Sequence, residues 1–240
     1  MRIHWLNAGV TTFPPVDRAL AEPDGLLAAG GDLAPARLLS AYRHGIFPWY
    51  SDGQPILWWS PSQRTVFDTG AVHVPRRLAR WLRGCDWRIR ADTSFSDVIR
   101  ACAAPRRHER GTWITDDMLA AYAELHALGH AHSVEAWNGD HLVGGIYGIA
   151  VGRMFFGESM FSGATNGSKV ALLALCRAMR DWGWPLLDAQ VASDHLFTLG
   201  AREMPRAEFC AEVGKLVRLS GHEGPWTRQF PALDPADLAS

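Results

Sequence analysis

The sequence predicts an α+β protein in two parts: a small, irregular N-terminal domain over residues 1–62 and a larger domain over residues 63–240, with helices layered on a sheet. Three observations carry this. The texture changes near Ser60-Pro61-Ser62: residues 1–60 are rich in Pro, Gly and Trp, whereas the chain beyond residue 62 has clear strand and helix patterns. Apolar runs at 132–137, 142–150 and 154–161 succeed one another with only Asn138-Gly139-Asp140 and Val151-Gly152 between them, as consecutive strands do. A helical stretch at 168–181 then crosses to another apolar run at 186–191.

Each element has its own signal. In the first part a helix is expected over 36–44, with Pro35 near its start and Gly45 as its stop. Turn-rich segments surround it: Phe13-Pro14-Pro15, Pro23-Asp24-Gly25 and Phe47-Pro48-Trp49-Tyr50. Beyond residue 62 a short strand is expected at 64–67, an arginine-bearing helix at 75–83 and a strand at 87–90. A helix at 94–103 comes next, with Ser94 and Asp97 as a capping box. The helix at 115–128 carries Asp116 and Asp117 in its first turn and Gly129 at its end. A helix at 205–219 closes the domain.

Composition narrows the class. With 240 residues, 48% hydrophobic and 20% charged, the chain is that of a folded protein with a substantial core. Its net charge of −1 means that any RNA must be held by a local patch. Eleven Trp suggest apolar pockets or stacking faces. Cys85, Cys102, Cys176 and Cys210 have no C-x-x-C spacing and read as reduced thiols. The N-terminus lacks a signal-peptide core, and the longest apolar stretch, 142–152, is too short for a membrane span of roughly 20 residues. A cytoplasmic protein is expected.

Two apolar strands carry polar residues. Asp188 and Gln190 are two apart in the run 186–191, which puts them on one side of a regular strand. Glu158 sits in the middle of 154–161, where an unpaired carboxylate would cost several kcal/mol. Such residues are either a buried network that fixes register or a site. The spacing of His126, His130 and His132 would suit a metal cluster, but His132 lies beyond the Gly129 stop and no motif such as H-E-x-x-H is present, so no metal is expected. Asp194-His195 reads as a helix cap beside a histidine rather than a catalytic pair. No G-x-S-x-G elbow, Walker loop or G-x-G-x-x-G is present. Arg76, Arg80 and Arg83 line one helix face, with Arg77 adjacent; clustered guanidiniums suit phosphate, and the same pattern also describes an ordinary solvated face. Arg106 and Arg107 would extend the patch.

Longer motifs then name a family. Gly25-Leu26-Leu27-Ala28-Ala29-Gly30-Gly31-Asp32-Leu33, Tyr42-Arg43-His44-Gly45-Ile46-Phe47-Pro48-Trp49 and Pro55-Ile56-Leu57-Trp58-Trp59-Ser60-Pro61 resemble the N-terminal signature of leucyl/phenylalanyl-tRNA–protein transferases. Gly111-Thr112-Trp113-Ile114-Thr115, the segment 128–135, Gly144-Gly145-Ile146-Tyr147-Gly148, the segment 156–162 and Asp188-Ala189-Gln190-Val191 resemble the rest of that family in order, from about Phe13 to past Pro205.

The resemblance implies a larger domain of N-acetyltransferase-like fold, with a mixed sheet flanked by helices. It implies transfer of Leu, Phe and less readily Met from aminoacyl-tRNA to proteins beginning with Arg or Lys, marking them for degradation, with no metal, nucleotide or other cofactor. By motif, Asp188 and Gln190 resemble the family's catalytic pair and Glu158 the neighbouring site acid. The segment 163–169 lacks the coenzyme A-binding pattern of the related acetyltransferases.

On that footing, the Gln190 side-chain oxygen is expected to accept a hydrogen bond from the attacking amine while Asp188 polarises the amide. Ile146, Phe155, Met160, Leu175, Met179 and Leu187 could line an apolar pocket for the aminoacyl side chain, or simply be core. Trp49 and Trp113 could stack on the terminal adenine, and Arg76, Arg80 and Arg83 could hold tRNA phosphates. A monomer is expected. Two alternatives stay open: an aminoacyl transferase acting on a cell-wall peptide amine, and an RNA-end-binding module without catalysis.

Overall fold

The computed structural model describes residues 3–104 and 113–239. Arg106 and Arg107 lie outside the described residues.

The first part contains strands where only turns and one helix are expected. Strand β1 (His4–Leu6) runs parallel to β2 (Leu26–Gly30). Helix α1 (Pro35–Arg43) leads to β3 (Phe47–Pro48) and β4 (Leu57–Trp59), giving a four-stranded sheet in the order β1-β2-β4-β3. The strands escape the sequence patterns because they are two to five residues long and interrupted by Gly and Pro. Helix α1 begins at Pro35, and its chain reverses at Gly45 in the left-handed region, φ +72°.

The larger sheet has seven strands in the order β11-β5-β10-β9-β8-β7-β6. It is built from β5 (Gln63–Asp68), helix α2 (Arg76–Leu82), β6 (Arg88–Ala91), helices α3 (Phe95–Ala103) and α4 (Asp116–Ala127), β7 (Ala131–Asn138), β8 (His141–Val151) and β9 (Met154–Ser162). Helix α5 (Gly167–Asp181), β10 (Leu186–Gln190), a one-turn helix α6 (Asp194–Phe197), β11 (Arg202–Pro205) and helix α7 (Arg206–Leu216) complete it. Among the described residues, the β9–β10 pair is the only parallel one of this sheet, as a helical crossover requires. The expected mixed sheet flanked by helices is what the chain forms.

Two local expectations are corrected. Ser94 precedes α3 but makes no capping bond to the backbone; its hydroxyl donates to the Asp97 carboxylate at 2.5 Å. Asp194 opens α6 as its first helical residue, with Ser193 at the cap. The Thr115 hydroxyl does cap α4, accepting from the Met118 N–H.

One buried cluster joins the two sheets, running from Leu6, Tyr42 and Trp58 of the first part to Tyr122, Tyr147 and Phe156 of the second. The other lies on the opposite face of the large sheet, among α2, α5 and the C-terminal segment, with Phe67, Phe155, Leu175, Met179 and Trp226. Helix α5 lies close to the sheet because glycine meets glycine: a Cβ on Gly144 would come within 2.2 Å of the Gly167 backbone.

Candidate active site

Two strand irregularities create the site. Strands β9 and β10 pair in parallel from Leu186↔Met154 to Asp188↔Phe156, and there the pairing ends. In β9 the register against β8 slips between Tyr147↔Ser159 and Gly148↔Gly157, so that Glu158 has no partner opposite it. In β10 the register against β5 slips between Asp188↔Val66 and Gln190↔Thr65, and Gln190 takes φ +62°. Bulges of this kind re-aim side chains, and a non-glycine residue at positive φ persists only where its surroundings fix it. Between the diverging strands opens a cavity of about 590 Å³.

Asp188 fixes Gln190. Its carboxylate is fully buried and accepts the Gln190 backbone N–H at 2.9 Å. It also accepts Nε and Nη2 of buried Arg64 at 2.7 and 2.6 Å, a two-toothed pair. The Arg64 guanidinium lies between the Phe47 and Phe209 rings, 4.5 and 4.7 Å from their centroids, and donates to the Gly45 carbonyl. The expectation that Asp188 polarises the Gln190 amide is therefore corrected: Asp188 holds the backbone, and the side-chain partner is Glu158.

The Gln190 carboxamide nitrogen donates to Glu158 Oε1 at 2.8 Å, leaving its oxygen free to accept from a ligand. Glu158 is also bonded by Tyr42 at 2.8 Å and Tyr122 at 2.7 Å. Burial pushes its carboxyl up to about 7, and nearby Asp188 acts in the same direction, against the lowering effect of the three hydrogen bonds. Burial, followed by the proximity of Glu158, raises the Tyr42 and Tyr122 phenols well above their usual range.

The cavity wall includes Phe67, Ile146, Met160, Leu172 and Leu187, with Glu158 and Gln190. Trp49 and Trp113 line it too; Trp49 is 45% exposed, and its ring is 5.9 Å from that of Trp59. Of the side chains expected around a pocket, Ile146, Met160 and Leu187 are at this wall. Phe155, Leu175 and Met179 are not: they are buried in the second core. Arg76, Arg80 and Arg83 lie on or at the end of α2, exposed and without an ion-pair partner among the described residues, while Leu78 and Leu82 face the core.

Several wall and support residues give no signal of their role in the strand and helix patterns, although Tyr42 opens one of the family-like motifs. Arg64 sits in a common polar start to a strand, and Tyr42 and Tyr122 read as ordinary apolar-face residues of helices. His195 also reaches the wall; burial first, and Lys169 beside it second, lower its affinity for a proton. Ser162 and Ser168 reach it as well and bond each other at 2.9 Å rather than a base. His126 and His132, two of the three spaced histidines, are each engaged elsewhere, on the Ala131 carbonyl and on Asp92.

A carboxamide and a hydrogen-bonded acid at the end of a cavity are groups able to position and polarise a bound reactant. The chain belongs to the leucyl/phenylalanyl-tRNA protein transferase family: the family's main model matches residues 66–214 and its N-terminal domain model residues 31–62. A leucyl/phenylalanyl-tRNA–protein transferase of Xanthomonas campestris pv. campestris (strain B100) is 58% identical over 228 residues, covering 95% of this chain and 92% of the relative. One from Pseudomonas syringae pv. syringae (strain B728a) is 56% identical over 205 residues, covering 85% and 90%. Among solved structures, a functionally unknown conserved protein from Staphylococcus epidermidis matches at TM-score 0.41 and 10% identity over 75% of this chain and 68% of that one. L-PGS from Bacillus licheniformis matches at TM-score 0.40 and 10% identity over 71% and 57%.

Proposed function

We propose that the chain transfers Leu or Phe, and less readily Met, from aminoacyl-tRNA to the N-terminal α-amine of proteins beginning with Arg or Lys, as a cytoplasmic monomer, without ATP or metal, and so marks those proteins for degradation. The observation that carries this reading is the Gln190–Glu158 hydrogen bond at the end of the apolar cavity. The aminoacyl side chain lies among Ile146, Met160, Leu172 and Leu187, and Trp49 and Trp113 stack on the terminal adenosine. A wall with this little polarity separates Leu, Phe and Met only modestly, about 1–3 kcal/mol per methylene.

The donor ester is already activated, so no covalent enzyme intermediate is needed. The acceptor α-amine has a pKa of roughly 7.7–8.0 and is partly neutral near pH 7. It attacks the ester carbonyl: a C–N bond forms, the bond between the carbonyl carbon and the ribose oxygen breaks, and the proton lost by nitrogen ends on that ribose oxygen. Gln190 accepts a hydrogen bond from the amine through its carboxamide oxygen and is held for this by Glu158 from one side and, through the backbone, by Asp188 from the other. Positioning carries more of the rate than proton abstraction, because an amide is a weak base.

The test is transfer of radiolabelled Phe from Phe-tRNA to a protein with N-terminal Arg. Wild-type transfer with a loss of roughly 100-fold or more in Gln190→Ala supports the reading. Retained tRNA binding with no transfer of Leu, Phe or Met would instead leave a binding module.

A further inference from the structure

Three short contacts close a ring at Glu158. Tyr42 Oη lies 2.8 Å from Glu158 Oε1, Tyr122 Oη 2.7 Å from Glu158 Oε2, and the two phenol oxygens 2.5 Å from each other. Each contact needs its own proton, because two oxygens at this separation with none between them repel. The two phenols own one proton each, and burial holds both protonated. Two protons cannot serve three contacts. Gln190 does not help, since its N–H makes a fourth contact, to Oε1.

We propose that Glu158 rests as the neutral acid, its proton on Oε2, and that Tyr42 and Tyr122 are positioning residues that close a one-way ring of hydrogen bonds around it. The ring then runs one way: Oε2–H donates to Tyr122, Tyr122 to Tyr42, and Tyr42 to Oε1, which also accepts from Gln190. Every proton has an acceptor. The other groups facing this ring are consistent with it. From β8, the Tyr147 phenol is fully buried and its oxygen has no hydrogen-bond partner. From β10, Asp188 brings a negative charge that disfavours a second carboxylate, and Arg64 of β5 is already committed to Asp188. Burial pushes the Glu158 carboxyl in the same direction.

The consequence rests on the transfer reading above. A carboxylate next to Gln190 would hold an incoming α-amine as ammonium, which cannot attack. A neutral acid fixes the Gln190 carboxamide equally well and leaves the amine free to lose its proton.

The test is an infrared pH titration of the full-length protein without tRNA, with Glu158→Gln as the subtraction that assigns the band. A carboxylic-acid carbonyl band belonging to Glu158 is expected below neutral pH, disappearing as pH rises. The informative variant is Tyr42→Phe. Loss of one hydroxyl opens the ring and takes a hydrogen bond from the carbonyl oxygen of the acid, so the acid band shifts to higher frequency. If the hydroxyl merely solvated a carboxylate, there would be no acid band to move. Tyr122→Phe carries the same sign and serves should Tyr42→Phe not fold. Absence of the acid band down to about pH 5, or a band that stays in place in both variants, overturns the proposal. Because no substrate is present, this result stands apart from the outcome of the transfer assay.

Discussion

Glu158 links residue chemistry to the stability of the whole fold. Its carboxyl rises from 4.5 to about 7 on folding, so between those values the folded protein holds a proton that the unfolded chain has released. Stability therefore falls as pH rises through that window and is fully reduced above it, by roughly 3 kcal/mol. Glu158→Gln keeps a donor and an acceptor in the same places and does not titrate. Relative to wild type it should gain about that amount between about pH 5 and pH 8, read as a divergence of urea midpoints. An equal difference at both pH values would refute a raised carboxyl. That Glu158, Asp188 and Gln190 belong to something unusual is legible from the sequence, because polar residues in apolar strands must be accounted for. Their division of labour is not legible. Alternation puts Asp188 and Gln190 in one role, whereas the bulge at Gln190 sends the Asp188 carboxylate to Arg64 and to a backbone N–H. A bulge leaves no trace in a two-residue period. Arg64, 124 positions away from Asp188 in sequence, offers no local cue at all.

At the scale of elements, legibility tracks length and punctuation. Helices α1 through α5 and strands β7 through β9 are marked by Pro, Thr, Gly and turn residues at their ends, and observed bounds differ from expected ones by one or two residues. Strands β1 to β4 are too short for a period, and β11 ends on Pro205, which reads as the start of a helix. What no pattern reveals is why α5 sits so near β8. A Cβ on Gly144 would lie 2.2 Å from the Gly167 carbonyl carbon, and both neighbours are backbone. Gly144→Ala should therefore cost about 3 kcal/mol or more, because neither partner can yield by a rotamer change. The same helix carries Ser168 and Leu172 to the cavity wall, so KM for the aminoacyl donor should rise along with the loss of stability. Gly214→Ala in α7 is the contrast, with nothing within 4 Å of the added carbon and no positive φ; it should gain about 0.5–1 kcal/mol. Equal effects of the two substitutions on the urea midpoint would show that propensity, not collision, governs these glycines.

For the molecule as a whole, the C-terminal segment is part of the core rather than an appendage. Trp226 is fully buried, its backbone N–H donates to Asp92 at 2.7 Å, and its ring stacks on His132 with centroids 4.0 Å apart. Nothing in the last residues of the sequence announces this, since the partners come from β7 and the turn after β6. The charge distribution, by contrast, is legible. A net charge of −1 over 240 residues means that attraction to RNA must come from a place, and α2 with its C-cap presents Arg76, Arg77, Arg80 and Arg83 to solvent. Each guanidinium that meets a phosphate releases condensed counterions, and this makes affinity fall with salt in proportion to the number of such contacts. Replacing Arg76, Arg80 and Arg83 together with Ala should weaken tRNA binding at low salt and reduce the slope of log K against log salt by about 2–3. Leu78 and Leu82, which anchor the helix, are untouched, so the thermal midpoint should stay where it is. Transfer at saturating aminoacyl-tRNA should persist, since the cavity and Gln190 are unchanged, and the deficit should appear in KM. A salt slope equal to that of the wild type would show that the arginine face of α2 is merely solvated and that the tRNA backbone is held elsewhere.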